Sequence, residues 1–337
     1  MKTSPLGRTG LEISRLCFGT LTVGPAQADL SVEEAADIIC YAVDQGVNLI
    51  DTAEYYDNYS LIRHVLRQSG SQPYIATKTY AYSRQQAESS LEQARRETGL
   101  DGIDLFLLHE QESVLTLDGH REAFTYLIEQ REAGRIRAVG VSTHAVEPVL
   151  ALAQAVGQTD AQPSSVWRRE QLDAGIYREA DVIHPLLNLS GVGILDGTAE
   201  DMTDACRLAR QAGIGLYGMK MLGGGTLLSR FDEAVRYVLD LPFLDGVAVG
   251  MQSKLEVDMN VALFEQRTVP EQWLAESRAR RRVLKIEDWC TGCGQCVGRC
   301  GESALRLVDG KAVVDRGRCV LCGYCAAVCR DFAIKIY

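Results

Sequence analysis

Two sets of residues in this chain could do chemistry. The first lies at the ends of short apolar runs. Asp51 stands in "VNLIDTA" (47–53), Lys78 closes "YIATK" (74–78), His109 closes "IDLFLLH" (103–109), and Tyr56 sits on the loop beyond Asp51. A carboxylate at Asp51 can pair with the Lys78 ammonium and fix its position. An ammonium beside a phenol favours the phenolate and lowers its pKa. Tyr56 would then act as general acid toward a carbonyl oxygen becoming alkoxide, with His109 donating a second hydrogen bond. That set suits hydride addition to an aldehyde or ketone. A lone Asp or Lys at a strand end is usually structural, but four groups that complete one proton-donating device are hard to assign to chance. The second set is cysteine. Cys290, Cys293, Cys296 and Cys300 form C-x2-C-x2-C-x3-C, and Cys319, Cys322, Cys325 and Cys329 repeat it. Structural zinc is typically held by ligand pairs spaced well apart. Three cysteines at two-residue spacing instead wrap one corner of a cubane and leave the fourth iron for a distant ligand. Two [4Fe–4S] clusters are expected, with zinc as the lesser alternative.

The elements that must position these groups can be read from periodicity. Eight short apolar runs, 15–20, 47–53, 74–78, 103–109, 136–142, 181–187, 213–220 and 245–251, have the continuous character of strands buried on both faces. Amphipathic runs fill the gaps. In residues 31–46, Ser31 and Glu34 form a capping box. Ala35, Ile38, Ile39, Ala42 and Val43 recur at helical spacing, and Gly46 ends the run. Residues 83–99 repeat the scheme from Ser83 and Gln86, and residues 198–213 from Thr198. Strand and helix repeated eight times is the rhythm of a (β/α)8 TIM barrel. A doubly wound open sheet is the runner-up, but it would be expected to carry a Gly-rich fingerprint after the first strand, and "GTLTVG" (19–24) is not one. A polar insertion at 157–180 reads as a lid, a docking surface or an ordinary excursion. The division expected is a barrel over 1–264, a charged linker over 265–282, and a cysteine domain over 283–337. Within that domain "ALRLVDGKAVVD" (304–315) reads as a hairpin turning at Asp-Gly.

Composition limits the function classes. The 337-residue chain carries a net charge of −10, and its one basic run, "RARRR" (278–282), reads as a solvated helix end, so no nucleic-acid partner is expected. No apolar run is long enough to span a bilayer, and "MKTSPLGRTG" has no apolar signal core, so a cytoplasmic setting away from membranes is expected. Of eleven cysteines, Cys17, Cys40 and Cys206 lie in apolar contexts and read as core. The other eight are too crowded for a reduced compartment unless they hold metal.

The barrel part resembles the aldo-keto reductases from "LGRTGLEISRLCFGT" (6–20) through "VALF" (261–264). The family's DTAxxYG appears as "DTAEYYD", "IATK" supplies the lysine and "LLH" the histidine, so the resemblance implies a catalytic tetrad of Asp51, Tyr56, Lys78 and His109. It also implies that residues 1–14 plug the barrel bottom and that NADP(H) binds without a Rossmann domain. Cofactor contacts would come from Gly19, Thr20, Ser142, Thr143, His184, Met219, Lys220, Leu222, Gly223, Gly224, Gly250, Ser253 and Asn260. Several depart from the family's pattern. "GVST" (140–143) replaces GVSN, His184 replaces a glutamine, Met219 replaces the aromatic that stacks on nicotinamide, and Met259 stands where glutamate is common. "LGGG" (222–225) survives. Residues 283–337 resemble bacterial two-cluster ferredoxins, which implies crossed ligation: Cys290, Cys293, Cys296 and Cys329 on one cluster, and Cys319, Cys322, Cys325 and Cys300 on the other. The proline after each fourth cysteine is missing, replaced by Gly301 and Arg330.

Nicotinamide delivers two electrons and a cluster passes one, so the fusion admits three readings. The first is an NADP(H)-dependent reductase of a small aldehyde or ketone with the clusters as accessory. The second is a reductase fed by a ferredoxin or other donor through the clusters, without nicotinamide. The third is an electron carrier on a retired barrel.

Overall fold

The chain opens on a hairpin, β1 (Thr3–Pro5) and β2 (Glu12–Ser14), with Thr3 opposite Ser14. Strands and helices then alternate: β3 (Leu16–Gly19), α1 (Val32–Asp44), β4 (Leu49–Asp51), α2 (Tyr59–Gln68), β5 (Tyr74–Thr79), α3 (Arg84–Thr98) and β6 (Ile103–Leu108). After β6 come α4 (Val114–Gly119), α5 (Arg121–Glu132), β7 (Ile136–Thr143), α6 (Val146–Gly157), β8 (Val182–Pro185), α7 (Ala199–Gln211), β9 (Gly215–Met219), α8 (Phe231–Leu239), β10 (Gly246–Gly250) and α9 (Lys254–Phe264). This computed structural model describes residues 1–25, 27–157, 175–279 and 282–336. Strands β3 to β10 close a parallel barrel in the order β10-β3-β4-β5-β6-β7-β8-β9. The expected (β/α)8 architecture is present; six of the eight apolar runs contain a barrel strand, and in the other two, 74–78 and 136–142, the strand runs one residue further. Most of the 157–180 insertion lies outside the described residues.

Local chemistry sets the helix boundaries. Helix α1 starts on Ser31, whose side chain accepts from Glu34 N while Glu34 reaches back, and α3 starts on the same device between Ser83 and Gln86. Thr198 caps α7 against Asp201. Two apolar layers result. The larger lies between strands and helices, around Phe18, Ile39, Ile62, Phe106, Phe124 and Leu216. The smaller fills the barrel itself with Cys17, Leu49, Ala76, Leu105, Leu107, Ala138, Val182 and Tyr217, closed from below by Leu6, Leu11 and Ile13 of the opening hairpin. The resemblance-based expectation of an N-terminal plug is met there.

The segment read as a linker is not bare. It carries α10 (Glu271–Ala279), which packs on α9. The C-terminal region follows with β11 (Leu284–Ile286), α11 (Gln295–Arg299), β12 (Leu305–Val308), β13 (Lys311–Val314), α12 (Tyr324–Ala327) and β14 (Ile334–Ile336). β11 pairs antiparallel with β14, and β12 with β13. The β12–β13 turn has Asp309 and Gly310 at φ 48° and 76°, the left-handed pair that an Asp-Gly hairpin turn needs. The apolar core of this region is small and includes cysteines: Leu284, Cys296, Leu305, Cys325, Ala326, Ile334 and Ile336.

Candidate active site

Alternation along the barrel strands builds the site. Residues i and i+2 of a strand share a face. The apolar layer inside the barrel includes Cys17, Leu49, Ala76, Leu107, Val182 and Tyr217. Two residues further along lie Gly19, Asp51, Lys78, His109, His184 and Met219. The chemical groups therefore form the next layer, at the carboxyl ends of the strands, where barrels of this kind keep their working residues.

Asp51 and Lys78 form the centre of that layer. Both are buried, and Lys78 Nζ donates to Asp51 Oδ2 at 2.8 Å and to Thr52 O at 2.8 Å. The other Asp51 oxygen accepts from Tyr217 OH at 3.0 Å and lies 3.8 Å from His184 Nε2. Burial alone would raise the Asp51 carboxyl, but Lys78 and His184 outweigh it and hold it below its usual range. Tyr56 ends a short turn, Glu54–Tyr56, whose approach is fixed from both sides. Asn58, just beyond, accepts from Thr52 Oγ1 at 2.5 Å and donates to Thr20 Oγ1 at 3.0 Å. Glu54 accepts from Thr79 Oγ1 at 2.6 Å. The Lys78 ammonium lies 5.2 Å from the Tyr56 ring centroid, and His109 meets the same ring edge-on at 5.9 Å. Tyr55, the neighbouring phenol, points outward and is 59% exposed. The structure thus brings Asp51, Tyr56, Lys78 and His109 together.

One electrostatic expectation fails. The Tyr56 phenol is not acidified. Burial, then the charges of Asp51 and Glu110, push it well above its ordinary value. The reason is that Asp51 takes up the Lys78 charge at 2.8 Å, so little of that charge is left for the phenol. Tyr56 is held protonated, as a proton donor must be before it acts. His109 is neutral. Burial and the Lys78 charge push its imidazole down to about 3, and its Nδ1 is buried with no hydrogen-bond partner among the described residues. Burial likewise brings His184 down to about 4.

A cavity of about 420 Å³ opens from this layer. Asp51 and Tyr56 reach it, as do eight of the residues expected to contact a cofactor: Gly19, His184, Met219, Lys220, Leu222, Gly224, Gly250 and Asn260. Others expected there are used elsewhere. Thr20 Oγ1 donates to Asp51 O at 3.0 Å, Ser142 Oγ accepts from Glu110 N at 2.9 Å, and Thr143 Oγ1 accepts from Ala145 N at 2.8 Å. Ser253 caps α9 by accepting from Glu256 N, and Gly223 lies against Thr226. Although the chain is acidic, the cavity lining carries Lys220, Arg282 and Lys335, against Glu256 and an Asp51 already paired with Lys78. That balance fits a polyanionic ligand such as a dinucleotide.

The family model for the aldo/keto reductases matches residues 15–234. The chain belongs to the aldo/keto reductase family. It is an oxidoreductase, and a 4Fe-4S dicluster domain matches residues 282–330. An aldo-keto reductase of Mycolicibacterium paratuberculosis is 28% identical over 235 residues, covering 66% of this chain and 80% of the relative. Aldo-keto reductase YhdN of Bacillus subtilis is 28% identical over 163 residues, 44% of this chain and 48% of its own. Among solved structures, a putative aldo-keto reductase from Pseudomonas aeruginosa aligns with a TM-score of 0.62 and 25% identity, covering 78% of this chain and 95% of that one.

Most of what distinguishes this aldo/keto reductase lies where its C-terminal domain meets the barrel. Phe332, three residues after Cys329, sits against Gly193 and Gly224 and edge-on to His144 at 5.9 Å. Lys335 and Ile336 line the cavity itself. The "LGGG" expected on the phosphate side also does another job. A Cβ on Gly225 would lie 2.2 Å from Ile336 O, and one on Gly224 3.0 Å from Phe332 Cζ, so these glycines let the C-terminal strand approach. Sequence reading missed Tyr217, Tyr80, Glu110, Phe332 and Lys335. Only Tyr217 left a signal, since it stands two residues before Met219 on one strand. Tyr80 stacks on His109 at 4.5 Å and donates to Glu110 at 2.5 Å.

The 4Fe-4S match implies thiolate-bound iron; among the described residues no three candidate ligands are gathered closely enough to hold a metal ion, but the surroundings of the cysteines suit thiolates. Backbone N–H groups aim at three of the sulfurs: Ala304 at Cys300, Ala312 at Cys290 and Ala333 at Cys329, at 3.3, 3.5 and 3.3 Å. Such donors stabilise thiolates. Cys300, Cys319, Cys322 and Cys325 line one small cavity. Burial, then the neighbouring thiols of Cys329, Cys290 and Cys293, push the Cys296 thiol up, so each of the three lies near Cys296. Among the described residues no helix is long and apolar enough to cross a membrane.

Proposed function

We propose that this chain reduces an aldehyde or ketone to an alcohol with NADP(H), using Tyr56 as general acid. The observation that carries the reading is the layer of Asp51, Tyr56, Lys78 and His109 at the barrel mouth, with Asp51 and Tyr56 opening onto a cavity lined by three cations. Lys78, locked by Asp51 and Thr52 O, orients the proton donor. Neutral His109 supplies a second polar contact to the carbonyl oxygen. A bound nicotinamide would supply the hydride, and His184, Met219, Leu222, Gly224, Gly250 and Asn260 would hold the cofactor, assisted by Arg282 from the connector. In this reading residues 1–264 are the reductase, 265–282 a connector that roofs the groove, and 283–337 a domain whose two cysteine sets hold two [4Fe–4S] clusters in crossed ligation. The setting is cytoplasmic. Stoichiometric NADPH oxidation with an aldehyde is expected, falling about 10²–10⁴-fold in kcat/KM in Tyr56→Phe. Absence of nicotinamide binding at millimolar concentration would end the reading.

A second reading, reduction fed from a ferredoxin-type donor without nicotinamide, has one observation in its favour. Phe332 and Lys335, just past Cys329, contact the barrel and its cavity, so the cysteine domain is seated at the site rather than apart from it. Anaerobic titration of the iron-loaded protein with NADPH separates the two. Bleaching of the cluster absorbance means that nicotinamide and clusters exchange electrons. Substrate reduction that survives without nicotinamide and fails in the cysteine variants belongs to the second reading.

A further inference from the structure

Two lysine side chains stand over the barrel mouth with no carboxylate in ion-pair range among the described residues. Lys220 follows β9 and Lys335 lies in β14, and both line the cavity that holds Tyr56 and Asp51. They share one ring: Lys220 Nζ lies 5.5 Å and Lys335 Nζ 3.0 Å from the centroid of Phe332. Among the described residues neither makes an ion pair. Lys335 donates to Phe332 O at 2.5 Å and keeps its remaining N–H groups. The nearby acids are engaged. Glu110 accepts from Tyr80 OH at 2.5 Å and lies 3.8 Å from His144 Nε2, and Glu287 pairs with Lys285 at 3.1 Å. Lys335 is 5% exposed. Burying like charges side by side is costly: burial pushes both amines down, Lys335 well below the usual lysine range with Lys220 adding to the effect, and a bound anion would restore their charge. Lys220 is, in addition, held at a φ of 61°, a conformation that side-chain-bearing residues rarely adopt, with its carbonyl tied to Gly223 N at 2.7 Å.

The position of the pair says what it meets. Phe332, the ring they share, faces His144 at the end of β7, beside Glu110 at the end of β6. That is the His109 side of the mouth. Thr22 just beyond β3 and Gly250 at the end of β10, across the barrel from β6 and β7, line the same cavity with Glu256, Asn260 and Arg282. With both lysines charged, Glu110 beside them would offset one, and a single carboxylate on the ligand would neutralise the other.

We propose that Lys220 and Lys335 form an anion subsite for a carboxylate carried by the carbonyl substrate, with one lysine supplied by the barrel and the other by the C-terminal domain. The substrate class is then a carboxylate-bearing aldehyde or ketone, and the cysteine domain completes the site. The inference rests on the reading of Tyr56 as the donor to the carbonyl. Its test does not need turnover. In calorimetry on the full-length, iron-loaded protein under anaerobic conditions, 4-carboxybenzyl alcohol is expected to bind at least tenfold tighter than benzyl alcohol. Lys335→Met and, independently, Lys220→Met should each bring that ratio below threefold, and Lys335→Arg should retain most of it. Equal affinities in the unaltered protein would overturn the proposal, as would a ratio unmoved by either Met variant. Lys220→Met weakening NADP⁺ by the same factor as the carboxylate would reassign that lysine to the cofactor and also overturn it. A preserved ratio in a protein that never oxidises NADPH would support the subsite while removing the nicotinamide reading.

Discussion

The barrel and the C-terminal domain both hold reactive side chains in place, by opposite means. In the barrel each group is fixed by the protein alone. Asp51, Lys78 and His184 sit two residues beyond an apolar layer, and their partners Thr52, Tyr217 and each other are already in hydrogen-bond or near-contact range. In the C-terminal domain the reactive groups are themselves part of the core, since Cys296 and Cys325 lie among Leu284, Leu305 and Ile334. A domain of this size with so few large apolar residues does not bury enough surface to offset its conformational entropy. The contrast teaches that one region orders its chemistry by packing, while the other is expected to need its ligand to be ordered.

Removing iron is the strongest way to break that contrast, and it has the largest expected effect. Chelation, or Cys329→Ser, should abolish hydrogen-exchange protection of backbone amides across 284–336 while the barrel strands stay protected, because metal-ligand free energy is folding free energy for such a domain. Full protection of 284–336 in the iron-free chain would show that its core suffices alone.

Acid should act on the barrel next most strongly. Burial pushes His109 and His144 down to about 3 and His184 down to about 4, and Glu110 is held at about 2 by its His144 and His109 neighbours against the effect of burial. All four folded values lie below the unfolded ones, so the unfolded chain binds more protons as pH falls. Their contribution is fully present above about pH 7. It is lost from about pH 6.5 downward for the histidines and from about pH 4.5 for Glu110, on the order of several kcal/mol by pH 4. Urea unfolding of the barrel, followed by far-UV circular dichroism between pH 7.5 and 4, should show this decline. A flat profile would mean that these groups take up protons in the folded state as readily as in the unfolded chain. Smaller is the effect of Lys78→Met, which leaves Asp51 buried and unpaired at about 3–5 kcal/mol of stability. The same substitution to Arg would be gentler on the charge but not on the two-acceptor geometry at Nζ.

Much of the barrel was legible because its signals are local. Ser31 with Glu34, Ser83 with Gln86 and Thr198 mark helix starts within four residues, and strand alternation carries Lys78 to the same face as Ala76. The tetrad followed from which residues end the strands plus side-chain chemistry, with Tyr56 preferred to Tyr55 by the family resemblance. What was not legible depends on closure over long sequence distances. Tyr217 reaches Asp51 across 166 positions, and Lys335 reaches the cavity from the far end of the chain. The behaviour of Tyr56 escaped for a related reason. Its acidity depends on where the charge of Lys78 is spent, and only the geometry shows that Asp51 takes it. The triple glycine was ambiguous in principle, because a backbone without Cβ admits a phosphate and a neighbouring strand equally well.

That ambiguity gives the smallest prediction and the one that separates docking from folding. Gly225 sits at φ 92°, and a Cβ there would lie 2.2 Å from the carbonyl oxygen of Ile336. Gly225→Ala therefore meets both a strained backbone and a main-chain atom that no rotamer change can move aside. Relief has to come from β14 moving off the barrel, at about 1–3 kcal/mol. The strain belongs to the seam, so neither the barrel nor the iron-loaded domain should lose internal protection. The expected signs are faster proteolysis in the connector 265–282 and a larger radius of gyration in solution scattering, with the cluster absorbance unchanged. If Gly225→Ala instead leaves the scattering profile as it was and weakens NADP⁺ binding, the glycine serves the cofactor first, and the approach of β14 is incidental to it.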